Sequence, residues 1–164
     1  MKKLFLILAM LCLLTACTGE KTLETVEDVY APQDEIPMVV DVTLPEEAFV
    51  QTLSSSAGRL YLCDGFTVTV QTFQGGDLNR TVKETTGYSL DRLTVLETIK
   101  DDLTCYRLSW ASLGEGGDQA ARTLILDDGC YHYAVTVMAP AENAGALTDT
   151  IQGILASVNL YIAP

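Results

Sequence analysis

Thiols and one imidazole are the side chains with the widest chemical range in this sequence. The chain of 164 residues has five cysteines, and its single histidine, His132, lies two positions after Cys130. Because side chains alternate along a β-strand, the two would be neighbours on one strand face. A thiolate and an imidazole can bind zinc or form a nucleophile–base pair. A metal-dependent or thiol enzyme module using Cys130 and His132 is therefore one hypothesis.

Neither chemistry is complete at this pair. Structural zinc needs four ligands, and a catalytic dyad needs a third group to orient the base. Cys63 and Cys105 are available in the same part of the chain, but the alternative is a packed histidine among small apolar thiols. The chain also has no G-x-S-x-G serine and no phosphate-binding loop with its lysine. We therefore expect a protein that is not an enzyme, with no catalytic residues, metal ligands or cofactor.

Cys17 has a different setting from the other thiols. Lys2 and Lys3 are followed by the apolar run 4–14, and Leu14-Thr15-Ala16 directly precedes Cys17. As a helix these eleven residues would span about 16 Å, much less than the ~30 Å hydrocarbon core of a bilayer. The pattern therefore predicts a segment that is processed rather than a permanent membrane span.

This order resembles the signal peptides of bacterial lipoproteins, which are cut directly before a cysteine that carries lipid on its sulfur. The resemblance implies a signal peptide over residues 1–16, recognition by signal peptidase through Leu14, Thr15 and Ala16, and lipidation of Cys17. Two or three acyl chains would anchor the protein in the membrane, on the extracytoplasmic face of the cell envelope. The alternative is a buried cysteine beside an ordinary secretory cleavage site.

Acidic residues are concentrated just after Cys17. The formal net charge is −12, and residues 17–47 contain nine acidic residues against Lys21 alone. The segment 17–37 contains two prolines and no sustained apolar period, which predicts an acidic flexible tether. A short solvated helix over 22–30 is the alternative. Because no basic patch is present to neutralise phosphates, nucleic acid is not an expected partner.

Residues 38–164 carry the patterns of one globular domain. Apolar alternation predicts strands over 40–44, 49–53, 60–63, 66–73, 93–99, 103–113, 119–126 and 131–138. Asp77 and Gly87 are suited to cap a helix over 78–86. A stripe of apolar residues at helical spacing predicts a closing helix, and its members are Leu147, Ile151, Ile154, Leu155 and Val158.

Three turns shape the predicted hairpins, namely Asp64-Gly65, Gly114-Glu115-Gly116-Gly117 and Asp128-Gly129. Asp64-Gly65 is suited to a type I′ turn. The acid pairs Asp101-Asp102 and Asp127-Asp128 do not lie in a twelve-residue calcium loop, so we expect them in solvated turns.

A tight Asp128-Gly129 turn would place Leu126 opposite Tyr131. Cys105, opposite Leu126, would then face away from Cys130, which argues against a disulfide between them. A bridge from Cys63 to either one stays open.

The predicted elements are a hairpin, a short helix ending at Thr86-Gly87, a meander with the Asp128-Gly129 turn, and a closing helix running into Ala156-Ser157-Val158. Their order resembles the PsbP-like domain. That domain is named for an extrinsic photosystem II subunit and also occurs in bacterial envelope lipoproteins. The resemblance implies an α+β fold in which an antiparallel β-sheet is flanked by helices, an α/β/α sandwich. The expected function is a small non-enzymatic binding or accessory domain that engages another envelope protein.

Overall fold

The computed structural model describes residues 36–52, 58–113 and 117–163, which all belong to one compact unit. Its strands are β1 Val39–Asp41, β2 Phe49–Thr52, β3 Gly58–Cys63, β4 Phe66–Gln74, β5 Val95–Lys100, β6 Leu103–Ser112, β7 Gln119–Asp127, β8 Tyr131–Pro140 and β9 Asn159–Tyr161. The helices are α1 Leu78–Thr86 and α2 Thr148–Ser157, with a 3-10 turn at Leu90–Arg92. No helix among these residues is long and apolar enough to cross a bilayer.

Seven strands form one antiparallel sheet in the order β2-β3-β4-β8-β7-β6-β5. The two long hairpin strands, β7 and β8, lie near the centre, and β2 and β5 form the edges. A second, two-stranded sheet pairs β1 with β9, the C-terminal strand that the sequence analysis did not predict. Three residues of mixed polarity, Asn159 to Tyr161, carry too little alternation to be identified as a strand without their partner.

Each face of the large sheet is covered by one helix, so the α+β sandwich expected from the sequence is confirmed. Ile151 and Ile154 of α2 pack on the face that carries Leu124 and Val135. Val82 of α1 packs on the opposite face, against side chains that alternate with the first set, namely Leu108, Ile125 and Ala134. The period-two alternation of the central strands therefore divides their side chains between two cores.

Both ends of α1 match the predicted caps. The Asp77 carboxylate accepts the N–H of Arg80 at 3.0 Å. Gly87 adopts a left-handed φ of 79° and donates its N–H to the carbonyl of Lys83 at 2.9 Å. Since both groups satisfy backbone atoms that a helix end leaves open, local sequence is sufficient to define this helix.

The prediction of a type I′ turn at Asp64-Gly65 is wrong. Gly65 has a φ of 79°, but Asp64 does not have the positive φ that the first position requires. Two left-handed central residues occur instead in the turn between β5 and β6. Asp101 and Asp102 have φ of 50° and 66° there and lie between the paired residues Lys100 and Leu103. Aspartate tolerates this conformation because its short carboxylate can bond the local backbone.

The turn between β7 and β8 is longer than predicted. Leu126 lies opposite Tyr133 rather than Tyr131, because the turn includes residues 128–131. The Asp128 carboxylate accepts the N–H groups of Cys130 at 2.8 Å and Tyr131 at 2.6 Å, which closes this wider turn. The shift is two residues, so the paired side chains of β7 and β8 keep their predicted faces.

The backbone of Cys130 lies so close to Gly75 that it limits which residue can occupy position 75. Its N–H donates to the carbonyl of Cys130 at 2.8 Å. A methyl group at this position would lie 2.8 Å from the carbonyl carbon and oxygen of Cys130. Because these are backbone atoms, β4 and the turn after β7 would have to separate to admit it.

We expect Gly75→Ala to lower the free energy of unfolding by about 1–3 kcal/mol through this overlap. Gly153→Ala is the matched control, since its added methyl group meets nothing within 4 Å and alanine favours a helix interior by up to about 1 kcal/mol. Urea unfolding followed by circular dichroism measures both. Equal effects of the two substitutions would contradict the close approach at Gly75.

Candidate functional site

The predicted anchor lies outside the described residues. This applies to the signal peptide 1–16, to Leu14, Thr15 and Ala16, and to Cys17. It also applies to residues 17–35 of the predicted tether. Of the residues singled out for chemistry, the structure therefore locates the three domain cysteines and His132.

His132 lies in a polar cluster between α1 and the sheet. Its Nδ1 atom is 2.7 Å from the hydroxyl oxygen of Thr81, and its Nε2 atom is 3.4 Å from a carboxylate oxygen of Asp127. A ring with its proton on Nε2 fits both contacts, because Nδ1 then accepts the hydroxyl proton while Nε2 faces the carboxylate. The histidine thus connects the first turn of α1 to the end of β7.

The order hydroxyl, imidazole, carboxylate is that of a nucleophilic triad. However, Thr81 is 1% exposed and His132 is 2% exposed. A substrate atom could not approach the hydroxyl without displacing α1. The cluster can satisfy buried polar groups and join two layers, but its accessible component is only the Asp127 carboxylate, 23% exposed.

Cys130 does not share a strand with His132, contrary to the expectation from their spacing. It lies in the turn after β7, and β8 begins at Tyr131. Within the described ranges, no three histidine, cysteine, aspartate or glutamate side chains are grouped to hold a metal ion. The sequence analysis named neither Thr81 nor Asp127 as a partner of His132, because no local signal relates a helix threonine to a histidine 51 positions later.

The domain cysteines are thiols and lie in separate places. Cys105 is buried in the core beneath α2, and Cys63 is half-buried at the end of β3. Burial, together with the nearby charge of Glu47, raises the pKa of the Cys63 thiol. A raised pKa lowers the thiolate fraction and so disfavours nucleophilic chemistry there.

A second polar cluster holds the point where the chain enters the domain. The Tyr133 hydroxyl donates to Asp128 at 2.7 Å and accepts the N–H of Met38 at 2.9 Å. Burial, and next the hydrogen bond to Asp128, raise the pKa of Tyr133. One buried phenol therefore joins the start of the domain to the turn between β7 and β8.

Two grooves open on the face of the sheet that α2 covers. The first, of about 860 Å³, lies between β1 and strands β3 and β4, with Met38, Tyr61 and Tyr131 among its walls. The second, of about 630 Å³, lies between α2 and the outer strands. We call the second the arginine groove and define it by Leu96, Arg107, Ser109, Arg122, Gln152 and Leu155.

The sequence analysis did not single out Arg107 or Arg122. Each interrupts a run of apolar or small residues in an inner strand. Arg107 lies in the run from Cys105 to Trp110, and Arg122 lies in the run from Ala120 to Ile125. A charged residue at such a position is a usable signal, since half-buried strands place their polar residues at alternate positions. Only the pairing of β6 with β7 brings the two arginines to neighbouring positions.

No protein-family model matches the chain, and no curated protein matches its sequence. Solved structures do resemble it. Cyanobacterial PsbP from Synechocystis sp. PCC 6803 has a TM-score of 0.52 at 8% identity, with 80% of this chain and 97% of that one covered. The fold is PsbP-like. This is a statement about architecture alone, because fold does not transfer function at such identity.

Two further structures are similar. A Bacteroides thetaiotaomicron VPI-5482 protein has a TM-score of 0.52 at 12% identity over 74% of this chain, which spans 45% of that protein's length. LpqN, involved in cell envelope biogenesis of Mycobacterium tuberculosis, has a TM-score of 0.49 at 12% identity, covering 78% of this chain and 87% of that one. The latter likeness is too low to add to the fold assignment.

We expect Thr81→Val to lower the free energy of unfolding by about 1–3 kcal/mol, because it leaves Nδ1 of His132 buried without a partner. Thr85→Val is the matched control on the same helix. The Thr85 hydroxyl is buried without a hydrogen bond in the described structure, so its loss should be neutral or slightly stabilising. Urea unfolding compares them; equal destabilisation would rule out the Thr81–His132 bond as the cause.

We expect Tyr133→Phe to lower the free energy of unfolding by about 1–3 kcal/mol at pH 8, since Asp128 and Met38 each lose a hydrogen-bond partner. The raised pKa of Tyr133 gives this difference a pH dependence. The contribution should be complete below the unfolded pKa of about 10 and decline as pH rises further toward the higher folded value.

Urea unfolding between pH 8 and pH 11 measures the difference between wild type and Tyr133→Phe. Tyr161→Phe, at an exposed position, should stay within about 0.5 kcal/mol of wild type. A difference that grows above pH 10 would contradict the assignment.

Proposed function

We propose that this chain is a lipid-anchored protein of the cell envelope whose PsbP-like domain is a non-enzymatic binding module for another envelope protein. The observation that carries the proposal is the sequence Leu14-Thr15-Ala16-Cys17 after a basic and then apolar start. A thiol directly after small residues provides the sulfur that lipid attachment requires. The partner would then have to be reachable from the extracytoplasmic face of the membrane.

The acidic segment supports the same proposal. Residues 17–37 separate the predicted lipid from the first strand, and acidic side chains are repelled by an anionic membrane surface. About twenty residues of this composition would span roughly 25 Å on average. A domain held at that distance can meet a neighbouring protein rather than lie against lipid.

The accessibility of the polar clusters supports a binding role over a catalytic one. The hydroxyl and imidazole that are arranged as in a triad are both buried, at Thr81 and His132. By contrast, the arginine groove is open and contains cations next to apolar side chains. Arginine is one of the residues that protein interfaces favour over the rest of the surface.

We expect Cys17→Ser to release the protein from the membrane fraction or leave it unprocessed, because serine provides no sulfur for the lipid. Cys12→Ser is the matched control within the signal peptide and should leave the anchor in place. Cell fractionation with intact-mass measurement of the mature N-terminus distinguishes these results. Membrane retention of a correctly cleaved Cys17→Ser chain would contradict lipid anchoring at this residue.

Cross-linking on intact cells tests the partner. Wild type should capture a defined envelope protein, and a released Cys17→Ser chain should capture less of it, because the anchor raises the effective concentration. Recovery of no specific partner would count against the binding module.

A thermal-shift panel of transition metals tests the alternative of a metal-dependent module at Cys130 and His132. A strong metal-dependent rise in the unfolding temperature would support that alternative.

A further inference from the structure

The two arginines of the groove lie side by side on one face of the sheet. Arg107 of β6 is paired with Leu124, and Arg122 of β7 is paired with Ser109, so the two arginines occupy diagonal positions on the same face. Such positions are about 7–8 Å apart, within reach of one another's long side chains. Like charges in this arrangement repel, and an anion placed between them would relieve the repulsion.

Neither arginine is neutralised by an ion pair within the described part of the domain. Arg80 forms an ion pair with Glu84, but Arg107 and Arg122 have no ion pair or side-chain hydrogen bond to any residue that the structure describes. This occurs in a chain whose formal net charge is −12, where carboxylates outnumber cations. Two adjacent cations without an ion pair to any described residue therefore form a local positive surface on a protein of negative net charge.

The groove borders an open sheet edge. β5 is the last strand of the seven-stranded sheet, so one side of its backbone has no strand partner among the described residues. Leu96 of this strand is 58% exposed and opposes Arg107 across the β5–β6 pair. A strand added beside β5 would find its hydrogen-bond ladder there, and every second side chain would point toward the groove.

We propose that β5 and the arginine groove bind an extended, acidic segment of a partner protein by strand addition, with carboxylates directed to Arg107 and Arg122. This rests on the proposed function and identifies the surface and the chemistry of its partner. Guanidinium groups match carboxylates in geometry and form charge-assisted hydrogen bonds with them.

A second copy of this chain fits the surface less well. Pairing β5 with another β5 would continue the same face with Thr94, Leu96, Thr98 and Lys100, none of which carries a carboxylate. Glu97 lies on the opposite face, because side chains alternate along the strand. A self-paired edge would therefore bring no carboxylate to the arginines.

The test uses a fluorescently labelled synthetic peptide of about eight residues that alternates valine with glutamate, a length that matches an ordinary strand. Fluorescence anisotropy with the full-length chain in detergent measures its affinity. Arg107→Gln and Arg122→Gln should each weaken binding about tenfold, through loss of a charge-assisted contact. Arg92→Gln, at an exposed position outside the groove, should leave binding unchanged.

Two altered peptides separate strand addition from simple anion binding. A version with glutamine in place of glutamate should lose most of its affinity. A version N-methylated at alternate residues keeps its charge but cannot complete the backbone ladder, and it should not bind. Hydrogen exchange should also show protection of residues 95–100 only with the unmodified peptide.

Absence of binding, equal binding of the glutamine peptide, or equal binding of the N-methylated peptide would each overturn the inference. The last result would indicate a small-anion site instead. Failure here is distinct from failure of the proposed function. If intact cells still yield a cross-linked partner, and Arg107→Gln with Arg122→Gln leaves its capture unchanged, the binding module stands but uses another surface.

Discussion

Burial of β8 on both faces is the constraint on which the rest of the domain depends. The six residues from His132 to Val137 are all buried, because α1 covers one face of this strand and α2 the other. The apolar side chains of β8 need no hydrogen-bond partner. Its polar members, however, need partners inside the protein, since an unsatisfied buried donor or acceptor is costly.

These partners connect distant parts of the chain. His132 is bonded to Thr81 of α1. On the same side of the sheet, the hydroxyl of Thr136 contacts that of Thr123 at 2.9 Å, and the indole N–H of Trp110 donates to Thr123 at 3.0 Å. Polar contacts thus run across β8, β7 and β6, and they hold the strands in one register as well as satisfying buried atoms.

The closed centre and the open edge of the sheet carry groups with different chemical potential. Groups with catalytic potential, such as His132, are used to join layers. Groups with binding potential lie beside α2, on the part of the sheet face that this helix leaves uncovered. A helix of ten residues is too short to cover seven strands. Arg107 and Arg122 occupy this uncovered part of the face.

Much of the fold could be predicted from the sequence because its signals are local. Asp77 and Gly87 act within one helical turn, and alternation from Leu103 to Val137 assigned side chains to the correct faces even where the turn at Asp128 shifted the pairing by two residues. The type of turn at Asp64-Gly65 was not predicted correctly, because aspartate and glycine are compatible with more than one turn geometry.

Local patterns in the sequence were sufficient to predict the two helices, the long strands and their two-faced patterning, and the Leu14-Thr15-Ala16-Cys17 pattern was sufficient to predict an anchor. Only the packing of the layers shows which remote residues become neighbours. It pairs β1 with β9, joins Thr81 to His132 and Tyr133 to Met38, and brings Arg107 and Arg122 to diagonal positions. The physical reason is distance along the chain. Periodicity and capping act over a few residues, whereas contacts between remote residues form only when layers pack, and no local pattern encodes them.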